Sequence, residues 1–339
     1  MKQAILERPK KIIFREVEKP VISNREVLIK VKRIGICGSD IKAYYGKHPY
    51  IKCPIVQGHE FSGVVAAKGR KVKGLKIGDR VTVRPQLVCG RCHLCKRGDY
   101  NICQNLKVIG CQAEGAAQEY LKVDMNLVVK LPEKMSFEEG AMVEPVAVAV
   151  HALGQASRIK GRQVLVLGAG TIGNLTAQVA RALGARAVMI TDLSSFRLKM
   201  ARECGVDHTV NVARASLPEQ LEKAFGPNRA DLILECVGEE KTINQAIEVA
   251  RKGSEIVVVG VFDEKPRTDV GLIQDKELKL LGSLMYKAED YRTAIRLINS
   301  RKIRLKPLMS RTFKFEDYPK AYRFLEKSGD RVMKVFIKF

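Results

Sequence analysis

Alternating apolar and polar positions dominate the first third of the chain and predict short strands. Residues 3–7 and 11–17 alternate around Pro9 and Lys10 and contain residues that favour strands, which is the pattern of a β-hairpin. Gly78 and Asp79 add a turn signal. Further strands are predicted at 27–34, 61–67 and 80–83. This part of the chain is therefore predicted to form a β-rich, partly open barrel.

From residue 163 onward, short apolar runs alternate with helical patterns. Strands followed by helices are typical of βαβ units and a parallel sheet. The predicted strands are 163–167, 187–191, 232–237, 255–261 and 281–286, the clearest helices are 174–183 and 289–300, and a last strand covers 334–339. A chain of 339 residues is expected to form two domains, each with its own core.

The composition is that of an ordinary globular protein, with 46% hydrophobic and 29% charged residues. No apolar run approaches the length needed to span a bilayer, and no signal-peptide core follows Met1. We therefore expect a cytoplasmic protein without a membrane partner. The nine cysteines are odd in number and clustered in one loop, which favours metal binding over a disulfide framework.

The net charge of +23, from 60 Lys and Arg against 37 Asp and Glu, would attract polyanions. The basic residues are spread along the chain without a basic arm or interleaved aromatic residues, and there is no Trp. We interpret the excess first as a solvated surface and second as attraction for an anionic substrate. No nucleic-acid partner is expected.

Four cysteines in one loop have the most specific spacing in the sequence, Cys89-x2-Cys92-x2-Cys95-x7-Cys103. Four thiolates at this spacing close a tetrahedral zinc shell and fix a loop that has little apolar content of its own. A structural zinc is predicted here. The alternative is a set of free or disulfide-linked cysteines in a surface loop.

A glycine-rich turn, Gly168-Ala169-Gly170-Thr171-Ile172-Gly173, follows the strand at 163–167 and opens a helix. Asp192 comes 19 residues after its last glycine, at the end of the next strand. Gly168 allows the tight turn, Gly170 lets a pyrophosphate approach the backbone, and Gly173 packs the helix on the strand. Asp192 would accept hydrogen bonds from the adenosine ribose and repel a 2′-phosphate, so NAD is predicted over NADP.

A thiol and an imidazole lie in two nearby segments, GICGSD at 35–40 and GHEFSG at 58–63. Taken alone, Cys37 is an ordinary buried thiol and His59 an ordinary histidine. Together with the surrounding acids and glycines, the pair is better explained as metal ligands. A catalytic zinc needs only three protein ligands plus an open position, and Ser39 is close enough to Cys37 to touch whatever fills it.

On these motifs the chain resembles the zinc-dependent medium-chain dehydrogenase/reductase family, on its sorbitol (polyol) dehydrogenase side. The resemblance extends over nearly the whole chain, with the motifs in the family's order. It implies an α/β fold: a β-rich GroES-like catalytic domain at 1–148 and 287–339, and a Rossmann NAD-binding domain with a doubly wound parallel sheet at 149–286. It also implies two zinc ions per chain, one catalytic and one structural, and a homodimer or homotetramer.

The third ligand of the catalytic zinc stays open between two acids. Glu144 lies in the apolar helix entry 141–151, where a carboxylate is costly unless it is paired or coordinated. The family places a Glu-Pro here that reaches the zinc directly or through water, whereas the simpler interpretation is a helix N-terminal acid. Glu60 directly follows His59 and, in the family, sits behind the zinc. Asp40 is expected to accept the other ring N–H of His59.

The family's proton relay is altered in this chain. Ser39 is expected to take the alcohol proton and pass it through the cofactor ribose toward solvent. Three residues on, where the family usually has His, this chain has Lys42, a poor relay near neutral pH unless burial lowers its pKa. His48 is the nearby substitute.

The cofactor and substrate contacts also follow from the resemblance. Arg197 resembles the family's adenosine-side arginine and would soften the preference for NAD. Tyr286 is the expected substrate contact, but Met285 precedes it where the polyol branch tends to have Arg, and the loop 111–117 departs from the family as well. The carboxyl ends of the later strands should line the nicotinamide half of the cofactor site: Val259, Gly260, Val261, Ser283, Leu284 and Met285.

These patterns together predict a zinc- and NAD-dependent dehydrogenase that oxidises a secondary hydroxyl of a sugar alcohol or related polyhydroxy compound. The alternatives are a polyol-phosphate or sugar-acid dehydrogenase and an L-threonine 3-dehydrogenase. A nucleic-acid binder that kept the fold is the non-enzymatic rival, but such a protein has no use for an open metal position.

Overall fold

The structure is a computed structural model that describes all 339 residues. Its strands are β1 Lys2–Arg8, β2 Lys11–Glu16, β3 Glu26–Gly35, β4 Glu60–Lys68, β5 Arg80–Val83, β6 Gln86–Leu87, β7 Lys107–Val108, β8 Tyr120–Asp124, β9 Val128–Lys130, β10 Gln163–Leu167, β11 Ala187–Asp192, β12 His208–Asn211, β13 Leu232–Glu235, β14 Glu255–Val258, β15 Lys279–Gly282, β16 Met309–Lys314 and β17 Lys334–Lys338. Its α-helices are α1 Gly38–Tyr44, α2 His93–Arg97, α3 Phe137–Ala141, α4 Val143–Gly154, α5 Thr171–Ala182, α6 Ser195–Glu203, α7 Leu217–Phe225, α8 Glu240–Val249, α9 Val270–Asp275, α10 Ala288–Asn299 and α11 Tyr318–Ser328.

The first of two compact units comprises Met1–Glu144, Met309–Gly329 and Lys334–Phe339. Its main sheet has the order β16-β17-β3-β4-β5-β9, and β8 also pairs with β3. The ten-residue strand β3 pairs antiparallel with β4, β8 and β17, so it is the centre of this sheet. The hairpin predicted at the start of the chain is confirmed as β1 and β2.

The second unit comprises Pro145–Leu308 and Asp330–Met333. Its sheet has six parallel strands in the order β12-β11-β10-β13-β14-β15. The chain starts at β10, moves outward to β12, and then returns to the other side of β10 with β13. The predicted doubly wound parallel sheet is therefore present, with the change of direction between β10 and β13, where such sheets bind ligands.

Three strands of this sheet end earlier than the apolar runs predict, at Glu235, Val258 and Gly282. The chain bends after β14 because the N–H groups of Val259 and Gly260 both donate to the backbone oxygen of Glu235, at 2.8 and 3.0 Å. The residues after these strands are therefore loops at the carboxyl edge.

The boundaries of the compact units differ from the expected 148 and 287. The helix α10 was expected to complete the catalytic domain, but it lies in the second unit. Two contacts within that unit explain the difference: Asp290 is 2.8 Å from Nδ1 of the buried His151, and the Tyr291 and Tyr286 rings lie 5.0 Å apart. None of the helices combines the length and the apolar character that crossing a membrane requires.

Candidate active site

The register of β3 and β4 brings the two predicted ligand segments together. Gly35, the last residue of β3, pairs with Glu60, the first residue of β4. Cys37 follows β3 and caps α1, and His59 immediately precedes β4. A Cβ atom on Gly35 would lie 2.5 Å from Glu60 Oε2, so a larger residue here would displace the Glu60 carboxylate.

Three donor atoms converge at these strand ends. One ligand atom each from Cys37, His59 and Glu60 lies within 4.8 Å of the other two. His59 and Glu60 are buried and Cys37 is half-buried. Ser39 Oγ is 3.5 Å from His59 Nε2. A thiol, an imidazole and a carboxylate make a donor set that suits catalytic zinc.

Asp40 lies beside the histidine but does not make the expected short hydrogen bond. Its Oδ1 atom is 3.8 Å from His59 Nδ1 and has no hydrogen-bond partner, whereas Oδ2 accepts a 3.0 Å bond from the Cys37 N–H. The Cys111 Sγ atom approaches the same ring nitrogen, at 4.0 Å. Burial raises the pKa of Asp40, and although burial opposes protonation of His59, the neighbouring Asp40, Cys37 and Cys111 raise the pKa of His59 well above its usual value.

Glu60 is held from behind by Lys334, a residue that the sequence analysis did not single out. Lys334 Nζ lies 2.7 and 2.6 Å from the two Glu60 oxygens and donates to the backbone oxygen of Ile36 at 3.2 Å. Both side chains are buried. Burial lowers the pKa of Lys334, but the negative charges of Glu60, Cys37 and Glu144 raise it above its ordinary value. The available signal was a lysine within the apolar run 332–337.

The other residues predicted for this site are not among the three clustered donors. Glu144 is buried in the first turn of α4 and is not one of the three clustered donors. Lys42 is half-buried in the last turn of α1. His48 is also half-buried, and its Nδ1 atom accepts a 3.1 Å hydrogen bond from the Tyr50 N–H.

The four-cysteine loop folds into a second cluster. One sulfur from each of Cys89, Cys92, Cys95 and Cys103 lies within 4.8 Å of the others. Neighbouring sulfurs are 3.5, 3.9 and 4.0 Å apart, close to the edge of about 3.8 Å that a tetrahedral zinc–thiolate shell requires. Backbone N–H groups lower the pKa of Cys89 to about 6, whereas burial raises that of Cys95 to about 12. This arrangement fits a zinc ion, whose charge would allow all four thiols to ionise.

The glycine-rich turn has the conformation that a dinucleotide loop needs. Gly168 has φ of 93°, and a Cβ atom on Gly173 would collide with the Gly168 carbonyl oxygen. Open space surrounds the position of a Cβ atom on Gly170. Thr171 is the first residue of α5, so the N terminus of α5 lies at the turn, where backbone N–H groups favour a phosphate. Ile172 follows in the same first turn.

The carboxylate of Asp192 is fixed at this turn. Its Oδ2 atom accepts a 2.8 Å bond from the Ala169 N–H, and Oδ1 accepts a 2.8 Å bond from the Ser194 N–H. Arg197 Nη1 is 3.9 Å from Oδ2, and the buried Nε atom of Arg197 has no partner. Asp192 and Arg197 therefore lie side by side, so a ribose bound here would meet both a negative and a positive charge.

Glu235 organises the loops at the carboxyl edge and was missed by sequence reasoning. It is fully buried, and its Oε1 atom accepts bonds of 2.9, 2.9 and 2.8 Å from Val237, Gly238 and Thr242. A Cβ atom on Gly260 would collide with the Gly238 nitrogen, so the two loops touch. An acid within the apolar run 232–237 was the available signal.

The predicted residues beyond β14 and β15 vary in exposure. Val261 and Leu284 are exposed, Val259, Ser283 and Met285 are half-buried, and Met285 has φ of 53°. Tyr286 is fully buried. Its ring lies 5.0 Å from that of Tyr291, and its predicted contact with a substrate stays a prediction.

Two family patterns match the chain: "Alcohol dehydrogenase GroES-like domain" over residues 23–133 and "Zinc-binding dehydrogenase" over residues 171–300. The D-xylulose reductase of Saccharomyces cerevisiae is 39% identical to it over 94% of this chain and 92% of that protein. The sorbitol dehydrogenase of Halalkalibacterium halodurans is 36% identical over 94% of this chain and 93% of that protein.

Solved structures show the same similarity. Galactitol-1-phosphate dehydrogenase from Escherichia coli superposes with a TM-score of 0.94 at 33% identity and covers 100% of both chains. A zinc-binding dehydrogenase from Sinorhizobium meliloti 1021 bound to NADP has a TM-score of 0.91 at 30% identity and covers 100% of this chain and 99% of its own.

Proposed function

Because this chain belongs to the zinc-dependent medium-chain dehydrogenase family, we propose that it oxidises a secondary hydroxyl of a sugar alcohol or related polyol and transfers the hydride to NAD. The observation that carries this proposal is the convergence of Cys37, His59 and Glu60 within 4.8 Å, with Ser39 Oγ 3.5 Å from the histidine. The relatives named sorbitol dehydrogenase and D-xylulose reductase support the substrate class.

In this proposal Cys37, His59 and Glu60 hold the catalytic zinc and leave one position for the substrate. Zinc in such a site would lower the pKa of a bound hydroxyl toward neutrality. Glu60 is favoured over Glu144 because its carboxylate is one of the three clustered donors. Ser39 is the acceptor of the alcohol proton because its hydroxyl lies beside the ligand set.

The proton then leaves toward solvent through Lys42 or His48, both of which are half-buried. The Nδ1 atom of His48 accepts the Tyr50 N–H at 3.1 Å, which orients the ring. We favour His48 as the outer group because histidine is the side chain that most often acts as a proton shuttle.

The cofactor assignment follows from the fixed Asp192 carboxylate, which would accept hydrogen bonds from the adenosine ribose and disfavour a 2′-phosphate. Arg197 lies 3.9 Å away and reduces this discrimination. We propose NAD as the preferred cofactor, with NADP as a slower alternative, and a second, structural zinc on the four cysteines. The enzyme is proposed to work as a homodimer or homotetramer in the cytoplasm.

A polyol phosphate or sugar acid is the second candidate substrate. The net charge of +23 favours an anionic substrate, and the structural similarity to galactitol-1-phosphate dehydrogenase agrees with it. L-Threonine is the third candidate substrate.

NADH production with sorbitol, galactitol 1-phosphate, galactonate and threonine, each with added zinc, tests the proposal. We expect turnover with a polyol or its phosphate, and loss of kcat with retained zinc in Ser39→Ala. Oxidation of threonine alone, or of none of the four, would contradict the proposed substrate class.

A further inference from the structure

A buried chain of hydrogen bonds joins helix α11 to the segments that carry the metal ligands. The Tyr322 hydroxyl donates to Gln57 Oε1 at 2.8 Å, and Gln57 Nε2 donates to the backbone oxygen of Asp40 at 3.0 Å. Gln57 is 1% exposed and Tyr322 is 2% exposed. Neither side chain reaches solvent, so their polar atoms must find partners within the protein, and the Tyr322 hydroxyl also bonds to the Tyr318 side chain.

Gln57 connects the two segments that carry Cys37 and His59. Gln57 lies two residues before His59, and it bonds to the residue three positions after Cys37. The Asp40 side chain in turn accepts the Cys37 N–H at 3.0 Å. One amide therefore links the histidine segment to the helix whose cap is the cysteine ligand.

The backbone around Gln57 is also fixed. Its carbonyl oxygen accepts the Ala117 N–H at 2.9 Å, which leaves the side chain as the link to α1. The Tyr322 ring packs against Tyr44, the last residue of α1, with ring centroids 4.7 Å apart. Tyr322 thus braces α1 directly through Tyr44 and indirectly through Gln57.

An apolar side chain at position 57 would fill the same buried space without the cost of burying an amide. The Gln57 amide instead accepts a hydrogen bond from Tyr322 and donates one to the Asp40 carbonyl. We propose that Gln57, held by Tyr322, is a positioning residue that sets the separation of Cys37 and His59 and so governs how tightly and in what geometry the catalytic metal is held. This inference rests on the proposed zinc site.

The consequences of removing each partner differ. Tyr322→Phe removes the donor to the buried Gln57 Oε1, and Gln57→Leu removes one partner each from the Asp40 carbonyl and from the tyrosine hydroxyl, which keeps its bond to Tyr318. The double variant Gln57→Leu/Tyr322→Phe removes both polar side chains, which restores much of the stability but not the link to α1. Stability and positioning can therefore be separated.

The experiment compares metal release from the zinc-loaded protein to a chromogenic chelator, and the visible absorption of the cobalt-substituted protein. The structural zinc is the internal reference. Gln3→Leu is the matched control, because Gln3 is a buried amide that bonds to Gln118 at 3.0 Å, outside the ligand segments. Thermal unfolding is recorded for every variant.

We expect both single variants and the double variant to release the catalytic metal about tenfold faster, as the loss of one buried hydrogen bond implies, and to shift the cobalt bands. Gln3→Leu should change neither, and the double variant should regain thermal stability over the single ones. Unchanged release and spectra in the single variants, or a double variant that recovers slow release, would overturn the proposal. Wild-type protein that holds only the structural zinc would overturn both proposals, whereas a zinc-loaded protein inactive on every polyol would overturn the proposed function alone.

Discussion

Lys334 is the residue whose removal tests the construction of the metal site most directly. In Lys334→Met the side-chain volume is nearly kept, but both oxygens of Glu60 lose the ammonium group that lies 2.7 and 2.6 Å away. The Ile36 carbonyl, next to Cys37, also loses its donor. The variant therefore leaves a buried carboxylate without a counter-charge.

The size of the effect follows from burial. The side chains of Lys334 and Glu60 are 4% and 1% exposed, so solvent screens the pair very little. Breaking a buried pair by removing one partner costs about 3–5 kcal/mol. For a unit of this size that corresponds to a fall in Tm of about 10 °C. Zinc should restore part of this loss, because the freed Glu60 carboxylate becomes a stronger metal ligand.

The assay is thermal unfolding of the chelator-treated and the zinc-saturated protein. We expect the zinc-induced rise in Tm to be larger in Lys334→Met than in the wild type. Lys334→Arg keeps the positive charge, so its zinc-induced rise in Tm should lie between those of the wild type and Lys334→Met. Lys338→Met, on the exposed end of the same strand, is the control and should leave Tm unchanged. A Lys334→Met protein that matches the wild type with and without zinc would show that the ion pair does not hold Glu60.

Three further outcomes are expected. Mild chelation should remove one of two zinc ions together with activity and leave the four-cysteine zinc in place, and a single zinc in the fully active enzyme would refute the two-site assignment. NAD should exceed NADP in kcat/KM, with Asp192→Ala narrowing the gap, whereas an NADP preference in the wild type would show that Arg197 outweighs the acid. If the charge of +23 steers an anionic substrate, kcat/KM for galactitol 1-phosphate should fall severalfold as salt shortens the screening length from about 30 Å to about 8 Å, while that for sorbitol stays nearly flat. If kcat/KM for both substrates depends equally and weakly on salt, the positive charge is only a solvated surface and does not steer the substrate.

The fold could be predicted from local patterns because the sequence signal for each strand, helix or turn lies within a few residues. The hairpin at the N terminus, the strand before the glycine-rich turn and Asp192 after it all lie where their patterns place them. Contacts between distant parts of the chain are different: α10 meets α4 through His151 and Asp290, which are 139 residues apart. No local pattern reports such a contact.

The site shows the same limit. The spacing of Cys37 and His59 predicted a metal site, but its support comes from Lys334 and Tyr322, which are 274 and 265 residues from their partners Glu60 and Gln57. A single lysine or glutamine in an apolar run signals only that a partner exists. The register of β17 against β3 and the position of α11 decide which partner it meets.

The buried charges explain why one lysine is needed behind this site. The Lys334 ammonium lies 2.7 and 2.6 Å from the two Glu60 oxygens, and the negative charges of Cys37 and Glu144 also act on it. Lys334, Glu60 and Glu144 are buried, where charge is poorly screened. In the proposed reaction, negative charge that develops on the substrate oxygen would meet one fewer uncompensated negative charge with Lys334 present than without it. A buried lysine that pairs with one acid and lies near a second would therefore favour the proposed deprotonation without touching the substrate, which gives a physical reason for a cation at position 334.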